Sequence, residues 1–221
     1  VPPVSSTSLF KFRDPVSGGL HLLGAVLGAI GAAVLLVAGI RRGTSTHVIA
    51  FAIFGASLVL LYASSAAYHL LDVSEKARQV FRRIDHSMIF VLIAGSYTPF
   101  ALLVLEGPLS FGLLVALWSL TVVGLVKKVF WIHAPRGLST GLYLLMGWSA
   151  LLVAVPLARS LSLWGMRWLV AGGVAYSVGA IVYATKRPDP FPNVFGFHEI
   201  WHLFVLLGSA CHFLSVATLM P

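Results

Sequence analysis

Two histidines one helical turn apart, His198 and His202 in FGFHEIWHLF (195–204), are the first residues of this chain that could do chemistry together. Side chains at i and i+4 share a helix face, so both imidazoles can grip one metal ion. With Glu199 between them the stretch reads H-E-x-x-H, the pattern of zinc proteases in which the glutamate is the general base. Three readings stand open: a protease helix, another kind of zinc site inside a membrane, or two histidines with no metal. The protease reading needs a further ligand downstream, and only His212 follows, about 15 Å further along an ideal helix. Glu199 itself lies about 100° around the helix from His198 and is expected to face the headgroups.

Other polar residues in apolar surroundings are Ser65 and His69, four apart in YASSAAYHLL, and Asp85 in RRIDHSMIF. His21 and His86 are weaker candidates, as groups supporting a site or as packing residues; His47 and His133 fall near expected loop ends. SYTPF (96–100) puts Pro99 inside an apolar run and predicts a kink. Around it, Tyr97 and Thr98 are expected either to line a cavity or, with Ser96, to satisfy freed carbonyls.

The elements that position these residues follow from composition. Of 221 residues, 58% are hydrophobic and 10% charged, where a soluble domain carries about 25% charged residues; mean hydropathy is +0.94. This is an integral, multi-pass membrane protein. A helical span needs about 20 apolar residues, and seven runs qualify: 16–40, 47–71, 84–105, 109–130, 137–157, 164–185 and 197–219. They are too continuously apolar for barrel strands, which alternate over about 10 residues. The expected fold is an all-α bundle of seven transmembrane helices. Residues 1–15, which show no cleavable signal pattern, are expected to form a flexible cytoplasmic arm, and 16–221 one seven-span domain that is expected to bind zinc.

The formal charge of +8 is spread unevenly. With the N-terminus cytoplasmic and the C-terminus outside, inner segments hold eleven basic residues and outer ones only Arg41, Arg42, Arg159 and Arg167. That is a positive-inside bias; the basic side chains meet anionic lipid headgroups, and nucleic acid is not an expected partner. Cys211, the lone cysteine, excludes an intrachain disulfide and is expected to pack as a small apolar residue. Gly24 and Gly28 in the first span, and Gly172, Gly173 and Gly179 in the sixth, are expected to let helices approach closely.

In this topology the second span ends where the third and seventh begin. His69, Asp85, His198 and His202 therefore converge near the inner leaflet, and ionisable groups at membrane depth are functional candidates. Three imidazoles leave a fourth metal position open, the arrangement of a catalytic zinc site, although imidazole also suits iron, copper or nickel. Asp85 is expected beside the metal as general base through its bound water, with direct ligation as the alternative. Ser65 is expected to hold a substrate oxygen or, alternatively, to satisfy a backbone carbonyl.

At these residues the chain resembles the hemolysin III family, the bacterial branch of the progestin and adipoQ receptor superfamily. The matching stretches are DPVSGGLHLLG (14–24), SSAAYH (64–69), RRIDHSMIFVLIAGSYTPF (82–100) and HEIWHLFVLLGSACHF (198–213). The resemblance implies a bacterial inner-membrane protein with zinc held by His69, His198 and His202 near the cytoplasmic face, and Asp85 and Ser65 beside it. It gives Glu199 no catalytic role. The implied activity is hydrolysis of a lipid amide such as ceramide, with membrane lipids as partners and a lipid or fatty acid held in the bundle. A non-enzymatic role in membrane homeostasis, or membrane permeabilisation, is the alternative from the same resemblance.

Overall fold

The computed structural model describes residues 13–131, 135–192 and 194–221. Seven spans are present, without a β-sheet among the described residues. They are α1 (Pro15–Arg42), α2 (Ser45–Leu70), α3 (Glu75–Leu103), α4 (Gly107–Phe130), a fifth span in pieces, α7 (Leu163–Thr185) and α8 (Phe197–Ala217). The arm expected over residues 1–15 lies outside the described residues up to residue 12, as does His133.

Local chemistry sets the helix starts. Asp14 caps α1, its carboxylate accepting from the Ser17 amide at 3.3 Å, and Pro15 follows at the first position, where its missing N–H costs nothing. Ser74 caps α3 and Ser162 caps α7. Gly107, at φ 66°, provides the left-handed turn through which α3 passes into α4 within a few residues.

Two elements depart from the expected boundaries. α3 begins at Glu75, nine residues before the apolar run at 84, so Asp85 lies about three turns inside the helix rather than at its start. The fifth span, expected as one helix over 137–157, is broken into α5 (Arg136–Trp148), a 3-10 turn (Ser149–Val153) and α6 (Ala154–Ser160). Pro156 explains the break: it removes an N–H and crowds the preceding turn. Tyr97 of α3 mends it. Its hydroxyl donates to the Gly147 carbonyl and accepts from the Ala150 amide at 2.7 Å.

α2 and α3 form the centre, burying Phe51, Phe54, Leu58, Leu61 and Tyr62 against Phe90, Leu92 and Phe100. α1 lies on α2 and α8, α7 lies on α8, and the fifth span spans between α3 and α7. Close approach depends on small residues, as expected. A Cβ on Gly24 would stand 2.7 Å from Tyr62 and Leu206, and one on Gly179 would stand 2.6 Å from Phe204. Gly173 meets nothing within 4 Å and instead lines a cavity. Around Pro99, Ser96 and Thr98 hydrogen-bond the carbonyls of Ile93 and Ala94. Pro99 frees the carbonyl of Gly95 rather than either of these, so of the two expectations for SYTPF the cavity alone is met, by Tyr97. Cys211 is buried and unpaired.

Candidate metal centre

His69 stands at the last turn of α2, and His198 and His202 lie in the first two turns of α8. All three meet at one end of the bundle, each offering a nitrogen within 4.8 Å of the others. His69 Nε2 and His198 Nε2 are 3.4 Å apart. Two nitrogens held tetrahedrally at about 2.0–2.1 Å from one ion would stand about 3.3 Å apart, so this pair fits a shared metal without rearrangement. His69 and His202 are 6% and 3% exposed.

The opposite nitrogen of His69 fixes its tautomer. His69 Nδ1 donates to Asp14 Oδ2 at 2.9 Å; the carboxylate only accepts, so the proton sits on Nδ1 and the Nε2 lone pair faces the cluster. Carboxylate–histidine pairs of this kind orient metal-binding imidazoles. Partial burial pushes the Asp14 carboxyl up, but hydrogen bonds from His69 and Ser17 outweigh it and hold it below its ordinary value. The Asp14 amide also donates to the His69 carbonyl at 3.1 Å, so the start of α1 clasps the end of α2 twice. Sequence reading placed Asp14 in a flexible arm. The Asp-Pro pair opening an apolar run was the signal that could have moved it to a helix cap.

Glu199 does not face the headgroups as expected. Its Oε1 accepts from the buried Ser17 hydroxyl at 2.6 Å and its Oε2 from the Gly196 amide at 2.7 Å. Both oxygens are committed to tying α8 to α1 and capping α8. A general base must reach the reacting water, whereas Glu199 is held against α1 by Ser17 and is not among the residues lining the cavity beside the cluster, so the H-E-x-x-H protease arrangement finds no support.

His21 stacks on His202, with ring centroids 3.8 Å apart and planes 18° from parallel. It is buried, and neither nitrogen has a hydrogen-bond partner among the described residues. His86 is different: its Nδ1 donates to the Arg82 carbonyl at 2.8 Å and passes 3.4 Å from Asp85 Oδ2. His47 caps α2 through Thr44.

The cluster opens on a cavity of about 710 Å³ bounded by α3, α4, the fifth span, α7 and α8, with His21 of α1 and Ser65 of α2 also reaching it. His198, His202, Ser65 and Asp85 all line it. Ser65 Oγ is fully buried with no hydrogen-bond partner among the described residues, so the carbonyl bond offered as its alternative is absent there and the hydroxyl is open to a ligand. Beyond this polar end the wall is apolar, with Leu92, Phe100, Leu113 and Leu157 among its residues. The volume suits one lipid-sized molecule.

Sequence comparison places the chain among known proteins. The family model described as Haemolysin-III related matches residues 11–213. The Hemolysin-3 homolog of Bacillus subtilis (strain 168) is 41% identical over 209 residues, covering 94% of this chain and 95% of that protein. Hemolysin-3 of Bacillus cereus is 40% identical, over 89% of this chain and 86% of that one. A rice protein named Heptahelical transmembrane protein ADIPOR2 is 32% identical, over 72% and 76%. With seven spans and a family match over nearly its whole length, the chain is a multi-pass integral membrane protein that belongs to the haemolysin-III related family.

Proposed function

We propose that the protein is a zinc-dependent hydrolase of lipid amides, of the ceramide type, working from the inner leaflet. The observation that carries this reading is a three-imidazole cluster, one ring oriented by Asp14, opening directly on an acyl-sized cavity. His69, His198 and His202 would hold the ion, and their all-nitrogen set with room for a fourth ligand suits zinc. Zinc, when bound, supplies Lewis-acid activation of water and of a carbonyl.

The chain's own groups would do the rest. Asp85, on the cavity wall with His198, accepts the proton of the attacking water and returns it to the leaving amine. Ser65 donates a hydrogen bond to the carbonyl oxygen as charge develops there. The apolar wall holds the acyl chain and keeps bulk water from the amide. The positive-inside bias supports a cytoplasmic N-terminus, which puts the cluster near the inner leaflet.

The test is release of fatty acid from a panel of ceramides and phospholipids by purified protein, with His202→Ala as control. Activity lost in the variant supports the reading; activity that survives takes the metal out of the chemistry. The name Hemolysin-3 carried by the two Bacillus relatives supports a second reading, membrane permeabilisation. That reading predicts dye leakage from vesicles by His202→Ala and unaltered protein alike.

A further inference from the structure

Two cations that the sequence assigns to lipid headgroups are drawn into the cavity instead. Arg82 and Lys128 both line it, and Lys128 is only 4% exposed. The Lys128 ammonium donates to Ser139 Oγ at 3.1 Å and lies 5.8 Å from the centre of the Tyr143 ring. Both neighbours are neutral. Among the described residues no carboxylate forms an ion pair with either cation. Asp85, the acidic group of the cavity wall, approaches His86 instead.

A buried ammonium that has Asp85 near enough to attract it but forms no ion pair is costly at membrane depth, and such groups mark ligand sites. Two positive side chains against one carboxylate leave the polar end of this cavity cationic, while its remaining wall asks for an acyl chain. We infer that the lipid taken by this cavity carries an anionic head, a carboxylate or a phosphate, received by Lys128 and Arg82 with Ser139 beside them. This rests on the reading that the cavity binds an acyl amide. It narrows that reading from neutral ceramide to acyl amides whose amine portion bears a negative charge. Arg82 suits the task as a planar fork and Lys128 as a point charge.

The test is equilibrium binding to the full chain in nanodiscs of zwitterionic lipid, followed by tryptophan fluorescence, since Trp148 and Trp201 line the cavity. The probes are N-dodecanoylglycine, its methyl ester and dodecyl phosphate. A charge-assisted hydrogen bond lost from a buried site weakens binding by about ten- to a hundredfold. The acid is therefore expected to bind at least about tenfold tighter than the ester, and Lys128→Met to remove that preference while Lys128→Arg keeps it. Tighter binding of dodecyl phosphate than of the acid assigns a phosphate head, and the reverse assigns a carboxylate.

Equal binding of acid and ester to the unaltered protein overturns the inference without recourse to any variant. So does a preference that survives both Lys128→Met and Arg82→Gln. Failure here is separable from failure of the hydrolase reading. Ceramide hydrolysis with no acid preference sinks the charged-head inference alone. An acid preference in protein that hydrolyses nothing sinks only the hydrolase.

Discussion

The two sides of the cavity are built differently. On the side of α1, α2 and α8, backbones interlock: a Cβ on Gly24 or on Gly31 would stand 2.7 Å from Tyr62 or Phe213, and one on Gly208 would stand 2.8 Å from Tyr176. On the fifth span, Gly137, Gly141 and Gly147 meet nothing within 4 Å. That span turns Met146, Val153 and Leu157 inward, but polar hooks hold it as well. These run from Tyr97 to the broken helix, from Tyr143 to the His86 carbonyl, and from Trp148 to Ser177. The three histidines that could hold a metal all stand on the interlocked side. Ligand geometry tolerates about 0.5 Å of error, whereas entry of a lipid needs a wall that gives. On the proposed reading, a stiff frame for an ion and a loosely seated wall for a ligand would divide those demands between them.

The largest expected effect breaks the stiff side at its centre. His202→Ala removes one of three imidazoles and exposes the face of His21 that stacks on it. The variant is expected to lose its bound metal outright, read as metal content after gel filtration by mass spectrometry. Retention of metal at the level of the unaltered protein would show that the three-imidazole cluster is not the site. Metal removal by a chelator should lower the thermal midpoint of the unaltered protein and leave that of His202→Ala unmoved.

Next comes the clasp between α1 and α2. Outer carboxylates on metal-bound histidines contribute about 10- to 100-fold to affinity. Asp14→Ala is expected to weaken metal binding by that range in a competition titration with a chromophoric chelator. Asp14→Asn keeps an acceptor for His69 Nδ1–H and should fall between the two. Equal affinities for all three proteins would reduce the contact to a helix cap.

The interlocked backbones are tested by filling one. Gly24→Ala forces a methyl group against Tyr62 and Leu206, and overpacking of this kind costs about 1–3 kcal/mol. Because the same contact sets how α1 lies on α2, the thermal midpoint and metal affinity are expected to fall together. A lowered midpoint with unchanged affinity would separate packing of the frame from the geometry of the site.

Which of these features were legible in the sequence follows from their physical cause. Spans were legible because hydrocarbon thickness demands long apolar runs. The meeting of His69 with His198 and His202 was legible because alternating spans return alternate ends to one face. α3 was read short because Glu75, Lys76, Arg78 and Gln79 end its apolar run, yet Arg78 and Gln79 both pair with Glu75 along a helix that continues past it. Pro156 was visible, but its repair by Tyr97, some fifty residues away, was not. Asp14, Glu199 and Lys128 share one cause of misreading. Charge near a span end was taken to face headgroups or solvent, and only packing between distant elements turns it inward.

The smallest expected effect tests the loose wall. Gly141 lies in the middle of α5, exposed and with open space around it. In a helix interior glycine is worse than alanine by about 0.5–1 kcal/mol, chiefly through backbone entropy. With nothing for the new methyl to strike, Gly141→Ala should raise the thermal midpoint slightly where Gly24→Ala lowers it. Stiffening this wall should also slow exchange of a bound acyl probe without changing metal affinity. That pair of outcomes can be read from stopped-flow dissociation beside the chelator titration. If Gly141→Ala instead destabilises as much as Gly24→Ala, the fifth span is packed as firmly as the rest. The entry route would then have to be sought between other helices.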